Sequence, residues 1–211
     1  MLPSRLSPLP VRPLPARLLP ACLLLACLLG PMPARAEWKA VEKTETYSIS
    51  GKSGPELYAS IGERGPKAGK TRAIAYTNFK LTWSRKYERQ GDACVLASAR
   101  PKLIITYILP KPSQELPAAI AGNWEVFIAG VRSHERVHGD IIKDMVTKIE
   151  AATVGLTVPG DPDCRKIRTE MTKRLSELSQ AQRQQSRDFD QREMSDGGNI
   201  HQLILALVNG G

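Results

Sequence analysis

The feature that most constrains the fold is a long apolar stripe with helical spacing in the second half of the chain. Between Pro117 and Ala151, apolar side chains recur at steps of three or four residues, which places them on one face of an α-helix. The stripe consists of Ile120, Trp124, Phe127, Val131, Ile141 or Ile142, Met145 and Ile149. It predicts a long helix with one side directed toward the protein interior.

Two histidines continue this stripe and form a recognisable motif. His134 and His138, with Glu135 between them, spell His-Glu-x-x-His. On a helix the two imidazoles lie one turn apart on the same side, close enough to share a metal ion. Glu135 lies about 100° round the helix from His134, where it can act on a metal-activated water without binding the metal itself. The spacing predicts His134 and His138 as ligands of Zn²⁺ and Glu135 as the catalytic base.

A purely structural interpretation of the motif also exists. Two core-facing histidines can bond to each other or to nearby carbonyls, while Glu135 is an ordinary helix carboxylate. The complete motif on a periodic helix favours the metal interpretation. Gly139 is a further signal, because a glycine inside a helix costs about 1 kcal/mol relative to alanine. We therefore expect another group to approach the helix closely at Gly139.

The N-terminus predicts export. Residues 1–36 contain arginines but no acidic residue, then an apolar run over 18–29 and a small-x-small site that ends at Ala36. This pattern is typical of a signal peptide cleaved near Ala36, which implies a secreted or periplasmic protein. Lipid attachment at Cys27 is an alternative. The apolar run is too short for a convincing membrane span, and no transmembrane segment is expected in the mature chain.

Removal of this leader changes the charge and the cysteine content of the chain. It takes away four arginines and no acid, so the formal net charge falls from +9 to +5. The remaining basic residues are interspersed with acids, and with export this excludes nucleic acid as a partner. Cys94 and Cys164 remain, and in an oxidising compartment we expect them to form a disulfide. Closing a loop of about 70 residues stabilises a fold by roughly 4 kcal/mol in the chain-entropy model.

The order of predicted elements indicates an α+β fold in a single domain over residues 37–211. The sheet part covers about 37–112 and the helical part about 117–205. The predicted sheet is antiparallel, with strands at 44–50, 74–87 and 94–109, and a short helix is predicted at 55–61. The segment 94–109 is either one long strand or a pair of strands broken near Pro101. Two long antiparallel helices follow, at 117–151 and about 162–189, and the first carries the His-Glu-x-x-His motif.

The mature chain resembles an uncharacterised family of bacterial exported proteins described as predicted secreted zinc-dependent proteases. The resemblance rests on the following features: Tyr47-Ser48-Ile49-Ser50-Gly51, Gly65-Pro66, Trp83, Cys94, Leu109-Pro110, the His-Glu-x-x-His helix, Cys164 and Phe189-Asp190. The family usually continues its aromatic-Asp element with Thr-x-His-Gly. Here Glu193, Ser195 and Asp196 occupy the Thr, His and Gly places, so the family histidine is absent.

A catalytic zinc needs a third protein ligand and an open position for water. The candidates are Asp190, Asp196 and His201. Asp190 is our choice, because it matches the family element and lies at the end of the second helix, which should return toward the motif. Asp196 is more simply explained as a residue that caps a turn, and His201 lies beyond a Gly-Gly turn.

These features predict an exported zinc-dependent metallopeptidase that hydrolyses peptide bonds through a metal-activated water. Its partners would be protein or peptide substrates, with cell-envelope material as a further candidate. The oxyanion donor stays open among Tyr76, Tyr107 and Arg132. A peptidoglycan amidase is a related alternative. A different class of protein, a non-catalytic envelope-binding or assembly module with a structural metal or none, is favoured by the altered tail motif.

Overall fold

The computed structural model describes residues 38–69 and 71–210. The predicted signal peptide and the alternative lipid site at Cys27 lie outside these residues. The chain from Glu37 to Gly211 forms a compact unit by itself. In the part of the chain that is described, no helix is long and apolar enough to cross a membrane.

Within residues 38–69 and 71–210, the fold combines a main sheet, a small hairpin and four helices. The strands are β1 (Val41–Ile49), β2 (Lys67–Ala68), β3 (Thr71–Arg72), β4 (Tyr76–Gln90), β5 (Ala93–Pro112) and β6 (Thr157–Val158). The helices are α1 (Gly54–Arg64), α2 (Ala118–Thr153), α3 (Lys166–Met194) and α4 (Asn199–Asn209). An N-terminal sheet followed by helices confirms the predicted α+β class.

The main sheet has the order β1-β5-β4, with β6 added beside the start of β5, while β2 and β3 form the separate hairpin. Strand β4 runs antiparallel to β5, but β1 runs parallel to β5, with Val41 opposite Ile104. The prediction of an antiparallel sheet was therefore wrong for β1. Residue alternation indicates which face of a strand is buried and says nothing about strand direction. The chain between β1 and β5 passes through α1, the hairpin and β4. Because β4 runs opposite to both strands, β5 starts at the end of the sheet where β1 starts and pairs with it in parallel.

Strand β5 is continuous through Pro101, so of the two alternatives that the sequence left open the single long strand is correct. Pro101 lies opposite Trp83 of β4, whereas β6 pairs only with Cys94 and Val95 and β1 begins its pairing at Ile104. In the described part of the chain, no strand pairs with the other side of β5 at Pro101. A proline is tolerated in a strand where its nitrogen faces such an unpaired side, because no ladder hydrogen bond is then lost.

Helix α2 is the centre of the core, as its apolar stripe predicted. Its first half packs with α1, α4 and the end of β1, through a cluster that includes Trp124, Phe127 and Val131. Its second half packs on β5 through a cluster that includes Ile142 and Ile149. The two clusters lie on either side of the His-Glu-x-x-His segment, so both ends of that segment are held in place.

Helices α2 and α3 run in opposite directions. The start of α3 lies beside the end of α2, where Arg174 Nη1 donates to the Ala152 carbonyl at 3.2 Å. The end of α3 lies beside the middle of α2, where Asp190 contacts His138. This arrangement carries the end of α3 to the motif.

The helical part contains α4 in addition to the two long helices that the sequence predicted. Its apolar residues Ile200, Leu203 and Leu207 recur at helical spacing and contribute to the cluster around α2. The prediction treated the chain after Gly197-Gly198 as a turn of unknown course. Both ends of α3 also differ from the predicted range of about 162–189. The helix begins at Lys166 and ends at Met194.

The predicted disulfide is confirmed. Cys94 at the start of β5 and Cys164 just before α3 are bonded, with their Cα atoms 5.2 Å apart. The bond lies next to an apolar cluster that contains Leu96, Ile167 and Met171. It therefore ties the beginning of α3 to the sheet.

Candidate metal centre

The imidazoles of His134 and His138 converge with the carboxylate of Asp190. His134 Nε2 and His138 Nε2 are 3.1 Å apart. Asp190 Oδ1 lies 3.1 Å from His134 Nε2 and 2.8 Å from His138 Nε2. The three side chains thus offer two nitrogens and one oxygen within 4.8 Å of one another.

Hydrogen bonding alone cannot satisfy all three contacts of this triangle. If each imidazole donates its Nε2 proton to Asp190, the contact between His134 and His138 joins two donors. At most two of the three contacts can therefore be hydrogen bonds, whereas one shared cation satisfies all three atoms. Two ligands about 2.0–2.1 Å from a tetrahedral zinc are about 3.3 Å apart, close to the spacings found here. Two imidazoles and a carboxylate are also a common zinc donor set.

The local environment fixes the two histidines. The side chain of His134 is 3% exposed and that of His138 is 12% exposed. The Phe189 ring stacks on the His134 ring with centroids 4.6 Å apart and meets the His138 ring edge-on. Phe189 thereby holds the end of α3 against α2 and restricts the movement of both imidazoles.

Asp190 and His138 favour each other's charged forms. Burial alone would raise the pKa of Asp190, but hydrogen bonds and charge from His134 and His138 hold it far below its ordinary value. Burial lowers the pKa of His138, yet its hydrogen bond to Asp190 and the charge of that carboxylate raise it overall. Asp190 is therefore a carboxylate at neutral pH, the form that binds a metal.

Glu135 is buried beside the two histidines and is held by a threonine from the sheet. The hydroxyl of Thr77 on β4 donates to Glu135 Oε2. Burial raises the pKa of Glu135, and the hydrogen bond from Thr77 acts in the opposite direction. A raised pKa makes a carboxylate a stronger base, and the hydrogen bond fixes its orientation.

Glu193 lies behind His134, on the side away from Asp190. His134 Nδ1 is buried and has no hydrogen-bond partner in the described chain. The closest carboxylate oxygen is Glu193 Oε2, at 3.7 Å. An imidazole that binds zinc through Nε2 usually donates its Nδ1 proton to a carboxylate or carbonyl. Glu193 is therefore placed to supply that acceptor.

The other predicted candidates lie elsewhere. Asp196 is fully exposed and is 3.9 Å from His201, whose Nδ1 accepts from the Gly197 N–H at 3.2 Å. Neither belongs to the cluster formed by His134, His138 and Asp190. Of the possible oxyanion donors, Tyr107 donates to Glu42 and Arg132 lines a different cleft. Tyr76 lines the same cleft as the histidines.

The glycine at position 139 leaves space for the side chain of Tyr107. A Cβ atom added to Gly139 would lie 2.2 Å from the Tyr107 hydroxyl oxygen. The close approach expected from the sequence is thus made by a side chain of β5. This contact sets the distance between α2 and the sheet one residue beyond His138.

The cluster opens into a cleft of about 630 Å³ between the start of β4 and the end of α3. The β4 wall includes Tyr76, Thr77, Asn78 and Phe79, and the α3 wall includes Ser186 and Asp190. Strand β4 is at the edge of the described sheet, where no described strand pairs with its outer side. The cleft therefore combines the candidate metal centre with a surface that can pair with an extended chain.

Sequence reasoning missed Thr77 and Glu193. Thr77 contacts Glu135 across 58 positions of sequence, and no local pattern marks such a pair. Glu193 lies three residues after Asp190, and the i,i+3 spacing on a helix could have indicated that the two share a face.

The protein thus has a mixed α+β fold, with a candidate metal centre whose two histidines lie on its central helix. The chain belongs to the family described as "Bacterial protein of unknown function (DUF922)", which it matches over residues 44–198. The matched segment includes His134, Glu135, His138 and Asp190. No significant match to a curated protein or to a solved structure was found.

Proposed function

We propose that this protein is an exported zinc-dependent metallopeptidase. The observation that carries the proposal is the triangle of His134, His138 and Asp190, which hydrogen bonds alone cannot satisfy. These three residues would hold the zinc ion. Glu135, buried beside them in the cleft, would supply the general base that peptide hydrolysis requires.

Each part of the site has a distinct role in this proposal. A zinc ion, when bound, would lower the pKa of a bound water to about 7 and would polarise a substrate carbonyl. Glu135 accepts a proton from the attacking water and returns it to the leaving amine. Thr77 keeps the Glu135 carboxylate aimed into the cleft. The open edge of β4 supports a peptide as substrate, because an extended chain can add to it as a strand.

The compartment belongs to the same proposal. A disulfide between Cys94 and Cys164 is expected in an oxidising environment such as the periplasm or the cell exterior. The signal peptide over residues 1–36 remains a prediction from the sequence. Mass spectrometry of the exported protein should find a mature chain that begins near Glu37.

The first test is the metal content and activity of the purified mature chain. We expect about one zinc per chain by elemental analysis and cleavage of casein or a peptide library. A chelator should stop the cleavage, and added zinc should restore it. A chain with neither bound metal nor cleavage would instead support the non-catalytic envelope-binding module.

Variants then separate metal binding from catalysis. Glu135→Gln should retain zinc and lose roughly 10²–10⁴-fold in rate, as expected when a general base is removed. Glu125→Gln, an exposed position on the same helix, is the matched control and should keep full activity. An unimpaired rate in Glu135→Gln would remove Glu135 from the mechanism.

Further variants test the metal ligands. His138→Ala and Asp190→Ala should both lose zinc, because each removes one of three protein ligands. His201→Ala and Asp196→Ala replace the same residue types outside the triangle and should retain zinc. Full zinc occupancy in Asp190→Ala would show that another group is the third ligand.

A further inference from the structure

Three arginines line the cleft of the candidate metal centre. Arg72 comes from β3 on one wall, and Arg183 and Arg187 come from α3 on the other. Arg183, Arg187 and Asp190 follow one another at steps of four and three residues, so they lie on the same face of α3. The cationic groups are thus placed on both sides of the space that leads to the metal ligands.

These arginines have no acidic partners. Arg72 Nη1 donates to the Gly65 carbonyl at 2.6 Å, and Arg187 donates to the side chain of Gln184. Among residues 38–69 and 71–210, no carboxylate lies within 4.0 Å of the guanidinium of Arg72, Arg183 or Arg187. Two arginines outside the cleft do contact a carboxylate, Arg89 with Asp163 and Arg174 with Glu170.

Two carboxylates also line the cleft, but the three arginines outnumber them. The carboxylates are Glu135 and Asp190, and both already have partners: Thr77 donates to Glu135, and His134 and His138 contact Asp190. The remaining lining residues are neutral or histidine. The cleft therefore carries an excess of positive charge, which attracts ligands of negative charge.

We propose that the cleft selects peptides that carry carboxylate side chains close to the bond to be cleaved. This inference rests on the proposed peptidase function and names the substrate class of the same site. Arginine suits this role, because its planar guanidinium binds a carboxylate through two parallel hydrogen bonds. The hydrogen bond from Arg72 to the Gly65 carbonyl fixes part of that side chain before a substrate arrives.

The test compares peptides that differ only in charge. Matched peptides carry Glu, Gln or Lys at each of the three positions on either side of the scissile bond. We expect kcat/KM to be roughly tenfold higher for Glu than for Gln at one or more positions, as for a hydrogen bond to a charged group, and lowest for Lys. Added salt should reduce the ratio, because it screens exposed charges. Equal kcat/KM values for Glu and Gln peptides would overturn the proposal.

Variants locate the effect in the cleft. In the double variant Arg183→Gln/Arg187→Gln the ratio of kcat/KM for Glu and Gln peptides should fall toward one. Lys173→Gln changes the charge of an exposed residue on the same helix outside the cleft, and should leave the ratio unchanged. If the double variant keeps the wild-type ratio of kcat/KM for Glu and Gln peptides, the selectivity does not come from Arg183 and Arg187, and the assignment to these two arginines is overturned.

A binding experiment separates this inference from the proposed function. A fluorescent Glu-containing peptide is titrated against the full mature Glu135→Gln protein, with and without the two arginine substitutions, and its anisotropy is recorded. Arginine-dependent binding together with a lack of cleavage by the wild-type chain would contradict the peptidase function while supporting the acidic ligand. Cleavage by the wild-type chain with no preference in binding or rate would contradict only the acidic selectivity.

Discussion

At the scale of single residues, the candidate centre depends on side chains that would not bind a metal themselves. Phe189 stacks on the His134 ring, Thr77 orients Glu135, and Glu193 lies behind His134. Each restricts a group that would otherwise rotate about its own side-chain bonds. Restricting a ligand before the metal arrives reduces the entropy that binding must overcome.

Replacing Glu193 by Gln should weaken zinc binding by roughly 10–100-fold, the usual effect of removing a partner of a metal-bound histidine. The reason is the loss of the carboxylate 3.7 Å from the otherwise unpartnered His134 Nδ1. Competition with a chromogenic chelator measures the change. Glu177→Gln, at an exposed position of α3, is the control. Identical zinc affinity in the Glu193 variant and the wild type would show that Glu193 does not support His134.

Gly139→Ala should destabilise the fold by about 1–3 kcal/mol, the usual cost of overpacking. The new methyl group would overlap the Tyr107 hydroxyl. Gly122→Ala is a matched control on the same helix, because no atom lies within 4 Å of the added Cβ. That change should stabilise the protein by about 0.4–1 kcal/mol. Urea unfolding measures both effects, and adding Tyr107→Phe to Gly139→Ala should recover part of the loss. A fully stable Gly139→Ala protein would refute the contact.

At the scale of secondary-structure elements, hydrophobic periodicity predicted most of the helices and strands. It succeeded for α2 because one face of that helix is buried along its whole length. It could not predict that β1 runs parallel to β5, because strand direction depends on the path of the chain between them. It also missed α4, whose apolar spacing is helical but follows a glycine pair that we interpreted as a turn of unknown course.

The start of α3 depends on a residue outside the helix. Asp161 is buried and its carboxylate accepts the backbone N–H groups of Arg165, Lys166 and Ile167 at 2.8–3.1 Å. Removal from water alone would raise the pKa of Asp161, but these three donors lower it overall. The N-cap residue of α3, Arg165, makes no capping hydrogen bond with its side chain. Asp161 instead accepts the N–H groups at the start of the helix, which have no acceptor within the helix.

Asp161→Asn should lower the melting temperature at neutral pH. Since the folded state depresses the Asp161 pKa, the carboxylate contributes stability above its unfolded pKa of about 3.9, and that contribution is lost as the pH falls through the folded pKa. The difference in melting temperature between wild type and variant should therefore shrink in acid. Asp163→Asn is the control, because its exposed contact with Arg89, at 3.6 Å, contributes little. A constant difference from pH 7 to strong acid would argue against the role of Asp161.

At the scale of the whole molecule, the candidate site joins segments that are far apart in the sequence. The spacing of four residues predicted the pair His134 and His138, because one helical turn is a local property. Asp190 lies 52 residues beyond His138 and was chosen because the antiparallel helices and the family resemblance both placed it there. The partner of Glu135 on β4 could not be predicted, because it depends on how α2 packs on the sheet.

The disulfide supports this arrangement by anchoring α3 to β5. Replacing Cys94 and Cys164 together by Ala should lower the free energy of unfolding by roughly 2–5 kcal/mol, the range for loss of a native disulfide. Urea unfolding of the oxidised wild type and the double variant measures the change. A reducing agent should lower the stability of the wild type and leave that of the variant unaltered. A double variant as stable as the oxidised wild type would contradict a stabilising role.

The contact between the end of α3 and the middle of α2 would also make zinc binding at the candidate centre depend on the tertiary structure. An unfolded chain keeps only the two neighbouring imidazoles, because Asp190 reaches them through the packing of two helices. Zinc would then bind the native state in preference, and at a free concentration of 100 times its dissociation constant it would add about 2.7 kcal/mol to the stability. Zinc supply in the surroundings would thereby help to determine how long the folded protein survives proteolysis.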